Sequence, residues 1–202
     1  MSCVTAAFYF DLASPLAYLA SERVLHLLPA PAEWRPVLAR DLGSVDEVPA
    51  AREALQASLE IRARELGLQP LRLPDPFPFD SELAMRVATY AKSIGRTVPF
   101  AQAAFRQAFA GGHSLQDPDY VLIAAAACEM HPSAVLRAAN LRGISEQLER
   151  ATAGARESGV TAVPAIAAAG ALFEGEDAPE RAREHMLASG AAGTGALAPD
   201  PQ

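Results

Sequence analysis

The chain contains few cysteines, few basic residues and no long apolar run. Its 202 residues include only Cys3 and Cys128, which excludes a disulfide scaffold, a cysteine-rich zinc module and any CxxC pair. Acidic residues outnumber Lys and Arg by 24 to 17, giving a formal net charge of −7, so we expect no nucleic-acid partner. No run of about 18 apolar residues occurs, and no membrane span is expected.

The first residues, MSCVTAAFYFDLASP, lack the basic start of a secretory signal and place Asp11 inside the stretch that would have to be apolar. We therefore expect a cytoplasmic protein. A bridge between Cys3 and Cys128 is not expected in that reducing compartment. The four histidines are scattered without the spacing of metal ligands, so no metal site is expected.

With 50% hydrophobic and 20% charged residues, the chain can bury a core, and its N-terminal part has the pattern of a β-α-β unit. The segment TAAFYFDL predicts a buried strand. Ser14 and Pro15 then suit the N-cap and first turn of a helix over residues 16–28. Residues 33–38 predict a second strand, which Pro36 restricts to a sheet edge or an early end.

From about Asp41 the apolar residues recur with helical spacing for roughly a hundred residues, separated by Pro and Gly. Asp117 is a plausible N-cap for the most apolar of these helices. The predicted helices cover residues 55–66, 83–94, 99–109, 118–130, 133–140 and 144–158.

Strand character returns after Gly159. Two short apolar runs, residues 165–168 and 171–173, flank the turn residue Gly170 and predict a hairpin, followed by a helix over residues 179–188. A Gly/Ala/Pro-rich flexible tail is expected over residues 190–202.

This order of elements predicts an α/β protein with a thioredoxin-like fold and an inserted all-helical domain. The thioredoxin-like domain is expected to be discontinuous, formed by residues 1–40 and 155–189, with the helical insertion over residues 41–154. Three polar or proline-containing segments would then converge at one end of the sheet. They are Ser14-Pro15, Val163-Pro164 and residues 174–177.

Each segment has an ordinary structural interpretation beside a functional one. Ser14 stands at a helix N-terminus, which stabilises an anion such as a thiolate, but Ser-Pro also begins many helices simply as a cap. Val163-Pro164 is either an ordinary strand start or a cis-proline that leaves the preceding backbone free to pair with an extended ligand. Asp177 is equally suited to capping the last helix.

The segments FYFDLASPLAYLASERV and GVTAVPAIAAAGALFEGED resemble the 2-hydroxychromene-2-carboxylate isomerases and the kappa-class glutathione transferases, within the DsbA-like thioredoxin superfamily. The resemblance extends over roughly residues 5 to 188. It implies that Ser14 holds the place of the catalytic serine, which is also the place of the first cysteine in dithiol relatives. The tetrad S-P-L-A, starting at Ser14, retains neither cysteine.

The same resemblance implies a cofactor site made of Ala162, Val163, Pro164, Glu176 and Asp177, with the cis-proline pair binding the cysteinyl part of glutathione and Asp177 the γ-glutamyl amino group. Glu176 stands where many relatives have serine, and DLGSVDEVPA replaces an Asn-Lys-Pro-Pro segment. The expected cofactor is therefore glutathione or another low-molecular-weight thiol.

The function implied is a thiol-dependent isomerase or transferase that acts on a small conjugated or aromatic electrophile, with Ser14 stabilising the thiolate of the cofactor. The substrate is expected between the thioredoxin-like end and the insertion, near Phe77 and Phe79. Two alternatives stay open, namely a non-catalytic thioredoxin-like binding module and, less favoured without CxxC, a DsbA-like thiol-disulfide oxidoreductase. A homodimer is plausible from the resemblance.

Overall fold

A computed structural model of the chain describes residues 6–43 and 52–194. The order of helices and strands is the one expected from the sequence. The elements are β1 Ala6–Phe10, α1 Pro15–Leu27, β2 Ala32–Pro36, α2 Arg52–Glu65, α3 Glu82–Ser93, α4 Thr97–Phe105, α5 Pro118–Ala126, α6 Pro132–Ala139, α7 Arg142–Glu157, β3 Ala165–Ala168, β4 Ala171–Glu174 and α8 Ala178–Thr194.

The four strands form one mixed sheet in the order β2-β1-β3-β4. β1 pairs in parallel with β2 and antiparallel with β3, and β4 pairs antiparallel with β3. The expected edge position of β2 is confirmed. Pro36 is its last residue, where the missing N–H costs no ladder hydrogen bond.

The alternating faces of β1 separate two parts of the core. Phe8 and Phe10 point to one face, where Phe8 packs edge-on against Trp34 with ring centroids 4.9 Å apart. Phe10 extends this face into the helical insertion through Phe105, at 5.9 Å. Tyr9 lies on the opposite face, in a smaller cluster with Val160 and other residues of the second half of the chain. The main core thus runs from the sheet into the inserted helices.

Several helix ends differ from the predictions. α4 continues into a π-helical segment, Arg106–Ala110. α5 stops at Ala126 rather than Met130, because Glu129 adopts a left-handed backbone (φ 59°) and the Met130 N–H donates to the Ala125 carbonyl at 3.0 Å.

The last helix is longer than expected. α8 continues past Ala188 to Thr194, so the first residues of the expected tail are helical, since no proline interrupts the chain between Ala188 and Pro199. Residues 195–202 lie outside the described part of the chain, as do Cys3 and most of the DLGSVDEVPA segment.

Cys128 is a free, buried thiol, and its burial raises its pKa above the ordinary value. Within residues 6–43 and 52–194, no helix has the length and apolar character of a membrane span.

Candidate functional site

Ser14 caps helix α1 at the end of the β1–α1 connection. Its backbone is extended (φ −91°, ψ 113°), and its Oγ accepts a hydrogen bond from the Ala17 N–H at 3.1 Å. The Ser14 N–H donates to the Asp11 carbonyl at 3.1 Å, which holds the connection as a tight turn. Because Oγ already accepts one N–H, its orientation is fixed and its own hydrogen remains available for donation.

The structure brings Ser14 next to Val163, 149 residues away in sequence. The Ser14 Oγ–H donates to the Val163 carbonyl over a long 3.5 Å. The sheet explains the proximity, since the antiparallel pairing of Tyr9 with Ala165 sets the start of β3 beside the end of β1. A donor at this distance is weakly engaged and can exchange its acceptor at little cost.

The Val163–Pro164 peptide bond is cis, which agrees with the functional alternative drawn from the sequence. Val163 is buried, and its N–H has no acceptor within the part of the chain that the structure describes. The carbonyl of Pro164 is used internally, since it accepts the Gly175 N–H at 2.9 Å. Val163 therefore carries both an unused N–H and a weakly engaged carbonyl, which are the two groups an extended peptide pairs with.

Ala162, the remaining member of the expected proline loop, has its N–H bound within the protein. It donates to Glu174 Oε1 at 3.0 Å. Thr161 donates to the same carboxylate through its N–H, at 2.6 Å to Oε1, and through its hydroxyl, at 2.9 Å to Oε2. The sequence drew attention to the acidic turn that contains Glu174, but no local pattern indicated its bonds to residues 12 and 13 positions earlier.

Glu176 lies in the turn before α8, and its side chain pairs with a residue of the insertion. Its carboxylate accepts from the guanidinium of Arg62 on α2, and its backbone carbonyl accepts from Arg23 Nη2 at 2.6 Å. Arg62 therefore places a positive charge beside the carboxylate of Glu176, the residue that stands where many relatives have serine. Arg62 could not be identified from the sequence, because 114 residues separate it from Glu176.

Asp177 precedes α8 and is exposed. Its Oδ1 lies 3.1 Å from Arg181 Nη2, and the two residues form an ion pair across one helical turn. The Asp177 carbonyl accepts the Arg181 N–H at 3.1 Å, so Asp177 stands where the sequence placed the helix cap. Its exposed position keeps Asp177 accessible to a ligand.

Asp11 is a buried carboxyl beneath the Ser14 turn, and no sequence pattern marked it as a site residue. Only 3% of the residue is exposed. Burial raises the pKa of Asp11 above its ordinary value, although hydrogen bonds from the N–H groups of Ala13 and Ala39, both at 2.9 Å, oppose this rise. The carboxyl thereby joins the turn before Ser14 to the chain that follows β2.

Tyr18, one helical turn after Ser14, is a core residue. Its ring stacks on Phe109 with centroids 5.8 Å apart, and only 2% of it is exposed. Burial, with a smaller contribution from the charge of Glu22, raises the pKa of Tyr18 to about 12. In the connector, Phe79 is buried and Phe77 is partly buried against the same core, so Phe77 retains surface that a ligand can contact.

A family model described as DSBA-like thioredoxin domain matches residues 5–187. The chain belongs to this DSBA-like family. The match includes both halves of the sheet, the insertion, the Ser14 turn and the cis-proline loop, and so confirms the thioredoxin-like fold expected from the sequence.

Solved structures agree with the DSBA-like fold. A 2-hydroxychromene-2-carboxylate isomerase is 19% identical, with a TM-score of 0.77 and coverage of 94% of this chain and 95% of the other. A probable DsbA oxidoreductase from Streptomyces coelicolor is also 19% identical, with a TM-score of 0.78 and coverage of 98% and 93%.

A third structure, the cytosolic disulfide reductase DsbM from Pseudomonas aeruginosa with GSH, is 11% identical, with a TM-score of 0.61 and coverage of 92% and 98%. No curated protein matches this chain. Solved structures named as an isomerase and as disulfide oxidoreductases thus share this fold, and the fold alone does not distinguish their chemistries.

Proposed function

We propose that the protein binds a low-molecular-weight thiol of the glutathione type and uses it to isomerise or conjugate a small conjugated or aromatic electrophile. The observation that carries this proposal is the Ser14 hydroxyl at the N-terminus of α1, 3.5 Å from the carbonyl of Val163. Because the S-P-L-A tetrad contains no sulfur, the reactive sulfur has to come from a bound molecule.

The arrangement of Ser14 suits a thiolate acceptor. The N–H of Ala17 fixes Oγ, so the hydroxyl hydrogen can leave the long contact to Val163 and donate to a sulfur bound beside Ser14. The first turn of α1 contains no acidic side chain, so nothing there offsets the positive end of the helix dipole. Both effects favour the thiolate over the thiol and lower the pKa of the bound thiol.

Val163 supplies the second part of the proposed binding site. Its unused N–H and its carbonyl pair with the backbone of a cysteinyl residue, which holds the sulfur of that residue near Ser14. At the far end, the exposed Asp177 suits the ammonium group at the γ-glutamyl end of glutathione, which also carries a carboxylate. The guanidinium of Arg62 offsets the charge of Glu176, which would otherwise repel such a carboxylate.

The chemistry proceeds without a change of oxidation state. The thiolate adds to the electron-poor carbon of a conjugated double bond, so that a C–S bond forms, the π bond breaks and its electron pair moves onto the conjugated carbonyl. Rotation about the new single bond and collapse of the enolate expel the thiolate and give the isomer. If the enolate is protonated and released instead, the product is a conjugate.

A test of this proposal measures both binding and the thiol pKa. Glutathione is titrated calorimetrically into the wild type, and the pH dependence of thiolate absorbance is followed for the bound ligand. We expect binding with a lowered thiol pKa. Ser14→Ala loses one charge-assisted hydrogen bond, which is worth about 1.5–3 kcal/mol and corresponds to about one to two pKa units of that lowering.

Ser14→Thr serves as the matched control, since it keeps the hydroxyl and the helix cap. It should preserve the lowered thiol pKa. Failure of glutathione and of other cellular thiols to bind the wild type would overturn the proposal. Binding with an unchanged thiol pKa would instead support the alternative of a non-catalytic binding module.

A further inference from the structure

The carboxylate of Glu174, the last residue of β4, binds the loop that leads into the cis-proline. It accepts three hydrogen bonds, from the N–H and hydroxyl of Thr161 and from the N–H of Ala162. These bonds are 2.6 to 3.0 Å long, as expected when the acceptor is charged. Glu174 itself is held in place by the pairing of β4 with β3, where it lies opposite Ala165.

These bonds determine which backbone donors of the loop remain for a ligand. The N–H groups of Thr161 and Ala162 are both taken by Glu174, and Pro164 has no N–H. Among residues 161–164, the N–H of Val163 is the one donor without an acceptor within the described chain. An extended ligand can therefore pair with this loop in a single register.

The register matters because of where Ser14 lies. The Val163 carbonyl is the group that faces the Ser14 hydroxyl, at 3.5 Å. A ligand paired with Val163 presents its side chain at this point, whereas a shift by one residue turns that side chain to the opposite side of the extended backbone. One free donor thus couples ligand pairing to the position of the reactive sulfur.

We propose that Glu174 is a positioning residue, which fixes the register of the bound thiol by occupying the two competing N–H groups of the proline loop. The inference rests on the proposed function, since it assumes a thiol ligand paired with Val163. Glu174 touches neither the ligand nor Ser14 and acts through Thr161 and Ala162.

Four variants separate geometry from charge. Glu174→Gln keeps the reach and the acceptor oxygen for both N–H groups, and its amide can donate to the Thr161 hydroxyl, but it has no charge. Glu174→Asp keeps the charge but is too short for all three bonds. Glu174→Ala removes both the charge and the hydrogen-bond acceptor. Glu184→Ala, on the exposed side of α8, is the control for loss of a carboxylate.

The measurements are calorimetric affinity for glutathione and the thiolate absorbance of bound glutathione at saturating ligand. We expect Glu174→Ala and Glu174→Asp to weaken binding about tenfold, as for loss of hydrogen bonds to a charged group. Both should also lose most of the lowering of the bound thiol pKa. Glu174→Gln and Glu184→Ala should resemble the wild type.

A merely structural role for Glu174 would reduce stability but leave the pKa of the bound thiol unchanged at saturation, and that result would overturn the inference. Wild-type behaviour of Glu174→Asp with loss in Glu174→Gln would overturn it too, because charge would then be the cause. Thr161→Val, which removes only the hydroxyl donor, should give a smaller loss even if Glu174→Ala does not fold. Failure of the wild type to bind thiol would contradict the proposed function itself.

Discussion

At the scale of single residues, the site is built from residues whose polar groups are only partly used within the protein. Each keeps a hydrogen-bonding group for a ligand. Ser14 Oγ accepts from Ala17 and keeps its hydrogen, and Val163 keeps its N–H while its carbonyl is weakly engaged. Such groups are fixed in orientation before a ligand arrives, so little ordering is needed on binding. Asp11 differs, because both its oxygens are occupied by backbone N–H groups in the interior.

The raised pKa of Asp11 predicts a definite pH dependence of stability. As the pH rises past about 3.9, the ordinary pKa of an aspartate, the unfolded chain releases this proton while the folded chain keeps it. The folded state then binds more protons, so the contribution of Asp11 to the free energy of unfolding falls with rising pH until the folded pKa is passed.

Urea denaturation of the wild type and Asp11→Asn over a series of pH values checks this prediction. The difference, wild type minus variant, removes the titration of all other groups and should decrease as the pH rises from about 4. Glu184→Gln, which removes an exposed carboxylate on α8, is measured as the control for loss of a carboxyl group. A difference for Asp11→Asn that increases with pH would show that the N–H bonds outweigh burial and that the pKa is lowered.

At the scale of elements, local signals in the sequence were sufficient for the start of α1, where Ser14 and Pro15 lie at the N-cap and first position, and for the edge position of β2. Local signals failed where distant contacts or backbone geometry determine a helix end or the partner of a side chain. Glu129 ends α5 through a left-handed backbone that non-glycine residues adopt infrequently. The partners of Glu174 and Glu176 depend on strand pairing and on the docking of α2, which no local window contains.

Phe105, at the end of α4, is the element-scale link between the sheet, α1 and the insertion. It is fully buried and contacts the rings of Phe10, Tyr18 and Phe109 at centroid distances of 5.9 to 6.4 Å. We expect Phe105→Ala to lower the free energy of unfolding by about 3–5 kcal/mol, because it leaves a cavity among rigid rings.

Chemical denaturation measures this loss, and Phe105→Leu should cost less because it fills part of the space. Ile123→Ala, at a position that is 49% exposed on α5, should change stability by no more than about 0.5 kcal/mol. Equal effects of Phe105→Ala and Ile123→Ala would mean that the aromatic contacts do not join these elements.

At the scale of the whole molecule, the insertion and the thioredoxin-like part share one core. The aromatic residues of β1 continue into α4, and the Thr152 hydroxyl of α7 accepts the Leu38 N–H at 3.0 Å. Arg62 of α2, in the insertion, binds the Glu176 side chain, which belongs to the thioredoxin-like part. Neither part can separate without exposing apolar surface and breaking buried polar contacts, each of which costs free energy.

We therefore expect the two parts to unfold in one cooperative transition. Two spectroscopic signals of the unmodified protein can test this. Trp34, the only tryptophan, is buried on β2 and reports on the sheet by fluorescence, whereas far-ultraviolet circular dichroism reports mainly on the inserted helices. Urea curves from both probes should coincide, with the same midpoint and slope. Phe105→Ala should shift both curves together, since its contacts belong to the shared core. An earlier loss of helix signal with unchanged Trp34 fluorescence would contradict this prediction, because the insertion would then melt while the sheet remained folded.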